Sequence, residues 1–533
     1  MALLEIENLR IGTRRKELVK GIDLDIEPGQ WFALIGESGS GKSITSRSIA
    51  NLLAPNLIRE ADKLQFGDQD LLRISNRNVR ELRGDRIAYV FQDYQAAFTH
   101  YYRIGNQFHE LMRAHRPWGP KERAERMAEA LDAVGLDPAL ERRYPFQVSG
   151  GQLQRAALAM AIALEPELLI ADEPTTALDA WNAARVLEHM DSIKERLGCA
   201  ILFITHDLRI MRRHADEVAI MRQGEIVERG SKQRISESPE HSYTRDLFAA
   251  IPPLRNIPDR LPVAGDVRQV TAERREVAQG LALSVRDLRK EFPGTVAVDS
   301  VSFDLRSGTT LGLVGESGSG KSTLARCVLT LEKADSGTIL LHGDPLERLQ
   351  GKELRAARQR MQVVMQNPVA SFNDRLTIMD SLMEPLHCQR REAPSFLPEA
   401  KSPRQVAEGL LELARLPADY LGRKPAELSG GELQRAAIAR AISVEPEFIV
   451  LDEPTASLDV STQARVLNLL KDLQDQLGLS FLFISHDLSS VQFISDHVMV
   501  MQNGCIVDQF DRDSVFDEER HEYTKQLVLT YDV

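Results

Sequence analysis

Short apolar runs that end in glycine, an acid or a histidine recur along the chain, and each reads as a buried strand. WFALIG from Trp31 and TLGLVG from Thr310 are two of them. LLIADEP from Leu168 and FIVLDEP from Phe448 are two more, as are AILFITH from Ala200 and SFLFISH from Ser480. The segments ITSRSIANLL from Ile44 and TLARCVLTL from Thr323 follow the first pair and read as helices. Between Gln92 and Ser149 the pattern turns helical, as in PKERAERMAEALDAVGL from Pro120, and it does so again between Gln366 and Ser429. Strands alternating with helices predict a parallel α/β sheet, here with a mostly helical insertion.

The pattern is written twice. GESGSGKS stands at 36–43 and at 315–322, SGGQLQR from Ser149 returns as SGGELQR from Ser429, and LFITHDL from Leu202 returns as LFISHDL from Leu482. Lys42 and Lys321 are 279 positions apart, His206 and His486 are 280 apart, and Gln92 and Gln366 only 274. A period this long is far beyond a solenoid unit and means two copies of a whole domain. The copies are placed at 1–250 and 282–533. The stretch 251–281 opens with prolines, ends in mixed charge, and is read as a linker that packs in part on the first domain. Strand-like starts match as well: LLEIENL from Leu3 and ALSVRDL from Ala282.

Composition narrows the function classes. The chain has 533 residues, 43% hydrophobic and 27% charged, which excludes a disordered or collagen-like protein. A net charge of −12 argues against sequence-independent binding of nucleic acid. No run of 18 apolar residues is present, so no membrane span is expected, and Glu5 and Glu7 interrupt any signal-peptide core. Cys199, Cys327, Cys388 and Cys505 are scattered without a CxxC pair, so neither a metal cluster nor a disulfide scaffold is expected.

Three motifs carry chemistry. GESGSGKS follows a strand and opens a helix, the setting of a phosphate loop, whose glycines let backbone N–H groups converge on phosphate oxygens. The residues are Gly36, Glu37, Ser38, Gly39, Ser40, Gly41, Lys42 and Ser43, then Gly315, Glu316, Ser317, Gly318, Ser319, Gly320, Lys321 and Ser322. Lys42 and Lys321 suit the β- and γ-phosphates, and Ser43 and Ser322 suit Mg²⁺. Asp172-Glu173 and Asp452-Glu453 stand where a buried strand ends, in the crevice where α/β sheets bind ligands. The aspartates suit an outer-shell role on Mg²⁺, and the glutamates suit a general base or a positioner of water. Ser149, Gly150, Gly151 and Gln152, with Ser429, Gly430, Gly431 and Glu432, open amphipathic helices and form a second anion site that a single phosphate loop does not need.

The order phosphate loop, Gln92, Ser149-Gly150-Gly151-Gln152, Asp172-Glu173, Ala177-Leu178-Asp179, His206 resembles the nucleotide-binding domain of ATP-binding cassette (ABC) proteins. Gln366, Ser429 to Glu432, Asp452-Glu453, Ser457-Leu458-Asp459 and His486 repeat it. The resemblance spans nearly the whole chain except the linker. It implies two tandem P-loop NTPase domains, each with a RecA-like parallel-sheet core, an N-terminal antiparallel β part and a helical signature subdomain. It also implies two ATP molecules held between the halves, Lys42 with Ser429 and Gly431, and Lys321 with Ser149 and Gly151. By the same resemblance, Gln92 and Gln366 sense Mg²⁺ and water, and His206 and His486 contact the γ-phosphate. Fusion in one chain gives the closed pair a high effective concentration.

A narrower resemblance concerns the chain's tails. HSYTRDLFAAIP from His241 and HEYTKQLVLT from His521 are similar to the HPYT-type tail of the peptide/nickel importer branch, as are NPVASFNDRLTI from Asn367 and LSGGELQR. That branch implies an ATPase at the cytoplasmic face of the plasma membrane, bound to two permease subunits and served by an extracytoplasmic solute-binding protein. Its cargoes are peptides, peptide-like compounds, glutathione or metal chelates. The competing reading is a soluble accessory ATPase of an enzyme complex such as carbon–phosphorus lyase.

Several positions depart from the family pattern. No cysteine cluster follows the tail, so no iron–sulfur site is expected. Phe292 stands where the family stacks an aromatic on adenine, whereas GTRRKEL in the first copy offers only Arg14 or Arg15, as a stacking plane or a solvated loop. The first site is therefore expected to hold adenine more weakly. Glu432 replaces the usual glutamine, and both sites are still expected to hydrolyse ATP. DYQAAFTHYYRI brings Tyr94, Phe98, Tyr101 and Tyr102 to the region that meets the permease in the family. These aromatics suit either that interface or local packing.

Overall fold

The computed structural model describes residues 2–175, 178–263 and 280–531. The chain divides into two compact units, one running to Phe248 and one from Ala249. In the first unit, a six-stranded sheet has the order Glu225–Ser231, Glu217–Arg222, Trp31–Ile35, Ala200–Thr205, Leu168–Asp172, Ile87–Val90. All its pairings are parallel except the edge hairpin that Glu225–Ser231 makes with Glu217–Arg222. The second unit repeats this order with Cys505–Asp511, His497–Gln502, Thr310–Val314, Ser480–Ser485, Phe448–Asp452 and Met361–Val364.

Central strands covered on both faces read as unbroken apolar runs, and Trp31–Ile35 and Ala200–Thr205 are buried at every position. Register then decides where the chemistry falls. Ile35, the last strand residue before the phosphate loop, pairs with Thr205, and Asp172 pairs with Ile204, two residues before His206. Parallel strands in this register deliver the phosphate loop, the acid pair, His206 and the turn holding Gln92 to one end of the sheet.

One face of each sheet packs on the expected antiparallel part. In the first unit this comprises Leu4–Gly12, Glu17–Ile26, Ile58–Glu60, Lys63–Phe66 and Gln69–Asp70. Leu4, Ile22, Leu24 and Phe66 share a core with Phe32, Leu34, Ile170 and Leu202. Each such buried side chain contributes about 1.5–3 kcal/mol. The helical insertion comprises Ile104–His115, Pro120–Ala133 and Gly150–Ile162, mirrored by Ile378–Gln389, Pro403–Leu413 and Gly430–Ile442.

The stretch read as a linker that packs on the first domain needs correcting. Leu254 and Leu261 are buried in the core of the second unit, as is Ala250, the last residue expected of the first domain. Asn468 accepts from the Leu261 N–H (2.9 Å) and donates to its carbonyl (2.8 Å), and Arg260 reaches Asp472 and Asp475, each at 2.8 Å. The reason is physical. The prolines carry no N–H to satisfy, the leucines find apolar surface on Val460–Leu477, and one asparagine amide serves the peptide that remains. The rest of the expected linker, 264–279, lies outside the described residues.

Candidate active site

The phosphate loop is shaped by close backbone approach. A Cβ on Gly36 would lie 2.1 Å from the Met221 carbonyl oxygen, and one on Gly315 would lie 2.2 Å from that of Met501, so no other residue fits. Gly41 and Gly320 (φ 107° and 108°) turn the chain into the helices Lys42–Ile49 and Lys321–Val328, whose positive N-terminal ends suit an anion. The lysine ammoniums are buried and held by the loop's own carbonyls. Lys42 Nζ donates to Gly36 O (2.7 Å) and Glu37 O (2.9 Å), and Lys321 Nζ donates to Gly315 O (2.8 Å) and Glu316 O (2.7 Å).

Beside the loop, the Ser43 hydroxyl donates to Asp172 Oδ1 at 2.8 Å, and Ser322 faces Asp452 at 3.4 Å. Burial, and then the charge of Glu453, holds the Asp452 carboxyl above the usual carboxylate range. The next residues, Glu173 and Glu453, both sit at φ 49°. That left-handed backbone is costly for a side chain with a Cβ and turns each carboxylate out of the sheet edge. Gln92 Nε2 donates to Glu173 Oε2 (2.9 Å) and Gln366 Nε2 to Glu453 Oε2 (2.8 Å). His206 Nδ1 lies 3.3 Å from Glu173 Oε1, and His486 Nδ1 lies 3.3 Å from Glu453 Oε2. Burial opposes a charge on His486, but the hydrogen bond and charge of Glu453 outweigh it and raise the imidazole pKa.

Glutamine, glutamate and histidine from three separate sequence motifs therefore form one cluster in each unit, beside the serine–aspartate pair and the lysine. The signature residues are built into the helical part. Ser149 accepts from the Gln152 N–H (3.3 Å) and Gln152 Oε1 accepts from the Ser149 N–H (3.1 Å), a reciprocal cap. In the second unit Glu432 Oε2 accepts from the Ser429 N–H (2.8 Å) and Glu432 Oε1 from the Tyr420 hydroxyl (2.7 Å). Gly150 faces the Tyr94 hydroxyl, which would lie 2.9 Å from a Cβ there. Asp179 and Asp459 cap Ala180–Leu197 and Val460–Leu477, whereas Ala177 lies outside the described residues. Phe292 ends the strand Leu281–Phe292 with 40% of its surface exposed.

The aromatics after Gln92 divide. Tyr94 and Phe98 are buried, while Tyr101 and Tyr102 are 89% and 57% exposed. Sequence reasoning missed Tyr89, whose hydroxyl donates to Asp172 Oδ2 at 2.9 Å and lies 2.9 Å from Ser46 Oγ. Its signal was a tyrosine inside an otherwise apolar strand, IAYV. The serine hydroxyl, with the carboxylate behind it, offers the oxygen chemistry suited to Mg²⁺, which takes few protein ligands beside phosphates and water.

Residues 19–176 and 298–456 match the family described as ABC transporter. Over 535 residues, covering 99% of each chain, the protein is 39% identical to "Uncharacterized ABC transporter ATP-binding protein YejF" of Escherichia coli K12. It is 37% identical over 565 residues to the glutathione import ATP-binding protein GsiA of the same strain, covering 100% of this chain and 90% of that one. Among solved structures, cbiO1 of Clostridium perfringens, part of the transporter complex cbiONQ, is 26% identical over 47% of this chain and 95% of its own, with a TM-score of 0.40.

Proposed function

Because the chain belongs to the ABC transporter family and carries its ATP-hydrolysing domain twice, we propose that it is the energy-coupling subunit of a membrane importer for peptides or related small solutes. The carrying observation is the glutamine–glutamate–histidine cluster, complete in both units beside an intact phosphate loop. The importer reading is supported by similarity, over the full chain, to an ATP-binding protein named for glutathione import. Among the described residues no helix is long and apolar enough to cross a membrane, so transport needs separate permeases. We infer two such subunits, a solute-binding protein that selects the cargo, and attachment to the cytoplasmic face. The accessory-ATPase reading is not favoured, since both relatives are named as ABC transporter or import proteins.

In the mechanism we infer, the phosphate-loop N–H groups and Lys42 or Lys321 bind the β- and γ-phosphates. Glu173 or Glu453 accepts a proton from water as its oxygen attacks the γ-phosphorus and the bond to ADP breaks. Gln92 and Gln366 orient that water through the same carboxylates, and His206 and His486 hold the γ-phosphate. Mg²⁺, when bound at Ser43 and Ser322 with Asp172 and Asp452 beyond, supplies charge neutralisation of the phosphates.

Affinity capture of the chain from detergent-solubilised membranes tests the partner assignment. Two integral membrane proteins are the expected companions. Recovery of a soluble enzyme complex in their place contradicts it.

A further inference from the structure

The two tails contain a feature that the mechanism above does not use. Each HxYT segment follows the edge strand of its sheet and is anchored to an acid on it. Glu228 accepts from the N–H groups of Glu240 (2.7 Å) and His241 (3.2 Å). Asp508 accepts from the His521 N–H and the Thr524 hydroxyl, both at 2.8 Å. The histidines then turn the chain, His241 Nδ1 accepting from the Tyr243 N–H and His521 Nδ1 from the Tyr523 N–H, both at 3.2 Å.

This turn sends a buried tyrosine to the phosphate loop, with 5% of Tyr243 and 4% of Tyr523 exposed. The Glu37 N–H donates to the Tyr243 hydroxyl at 3.3 Å, and the Glu316 N–H donates to the Tyr523 hydroxyl at 3.0 Å. That N–H belongs to the peptide whose carbonyl, Gly36 O or Gly315 O, accepts from the phosphate-loop lysine. One peptide plane thus joins tyrosine hydroxyl to lysine ammonium, in both units. A peptide gripped on both sides cannot rotate, and hydrogen bonds through one amide polarise each other.

We propose that Tyr243 and Tyr523 are positioning residues for the ATPase: through the Gly36–Glu37 and Gly315–Glu316 peptides they set the phosphate-loop lysines for nucleotide. The tail motif is then a clasp between the C-terminal end of each domain and its own nucleotide loop. Losing one neutral hydrogen bond weakens binding by about fivefold. The effect falls on nucleotide affinity, because the lysine's hold on phosphate is present before and during hydrolysis.

The inference rests on the ATPase reading, and the test separates the two. Full-length Tyr243→Phe/Tyr523→Phe keeps both rings and removes both hydroxyls. The ATP concentration for half-maximal turnover is expected to rise about fivefold, with turnover at saturating ATP within about twofold and the unfolding temperature nearly unchanged. Unchanged ATP dependence, with or without a lower unfolding temperature, would reduce the tyrosines to packing and overturn the proposal. A wild-type chain that failed to bind ATP in the same titration would sink the ATPase reading itself.

Discussion

The hydroxyl of Tyr89 donates to Asp172 Oδ2 at 2.9 Å while Ser43 occupies Oδ1 at 2.8 Å, so both oxygens of this fully buried carboxylate are engaged by side chains of its own unit. Burial, and then the Asp172 charge, pushes the Tyr89 phenol up, so it keeps the proton it donates. In the second unit Val363 stands in place of Tyr89 and Ala325 in place of Ser46. Asp452 is left with a longer contact to Ser322 and a raised pKa. The two sites therefore differ at the carboxylate proposed to face Mg²⁺.

Tyr89→Phe tests that difference. With the second site silenced by Lys321→Ala, the variant is expected to bind Mg-ATP about fivefold more weakly than the Lys321→Ala parent, the effect of one lost hydrogen bond. Equal affinities, measured by nucleotide titration, would mean the hydroxyl does not order Asp172.

The ring proposed to stack on adenine gives a second expected asymmetry. Phe292 offers an exposed ring at a strand end, whereas the equivalent turn in the first unit is closed by Thr13 and Lys16 (2.9 Å) around Arg14 and Arg15. Phe292→Ala is expected to weaken ATP binding at the second site about tenfold or more, a loss typical of base stacking. The same titration with the first site silenced by Lys42→Ala measures it.

The aromatics after Gln92 split into two experiments. Phe98→Ala removes a buried ring and is expected to cost about 3–5 kcal/mol in chemical denaturation. Tyr101→Ala and Tyr102→Ala remove exposed rings. They are expected to leave stability and basal ATP turnover intact while reducing transport in reconstituted vesicles, since exposed aromatics suit an interface core. Equal transport would assign the rings to solvent.

The raised pKa of His486 sets a pH dependence. A histidine whose folded pKa exceeds its unfolded value of 6.5 stabilises fully below that value and loses its contribution as pH climbs through the folded value. The gap in urea midpoint between wild type and His486→Gln is therefore expected to be larger near pH ~5.5 than near pH ~8.5. A gap that stays constant or grows with pH contradicts the pairing with Glu453.

Much of this site was legible in the sequence because its chemistry is local. A glycine-rich loop, an acid pair and a histidine each directly follow an apolar run, and parallel pairing brings such run ends together. Contacts set by tertiary packing were not legible. Tyr89 sits in a strand whose pattern marks only burial, and nothing local says its hydroxyl meets Asp172. Tyr243 and Tyr523 belong to a recognised motif, but their partners Glu37 and Glu316 lie more than 200 residues away in sequence. Leu254 and Leu261 looked like linker because prolines hide the periodicity, and the destination of Leu261 depended on a helix about two hundred residues onward.

The most direct test of the account is ATP turnover by purified Glu173→Gln/Glu453→Gln beside wild type at saturating Mg-ATP. Removing both proposed general bases is predicted to slow hydrolysis by about a hundredfold or more while ATP still binds. Turnover at the wild-type rate would contradict the assignment of these two carboxylates and the mechanism built on them.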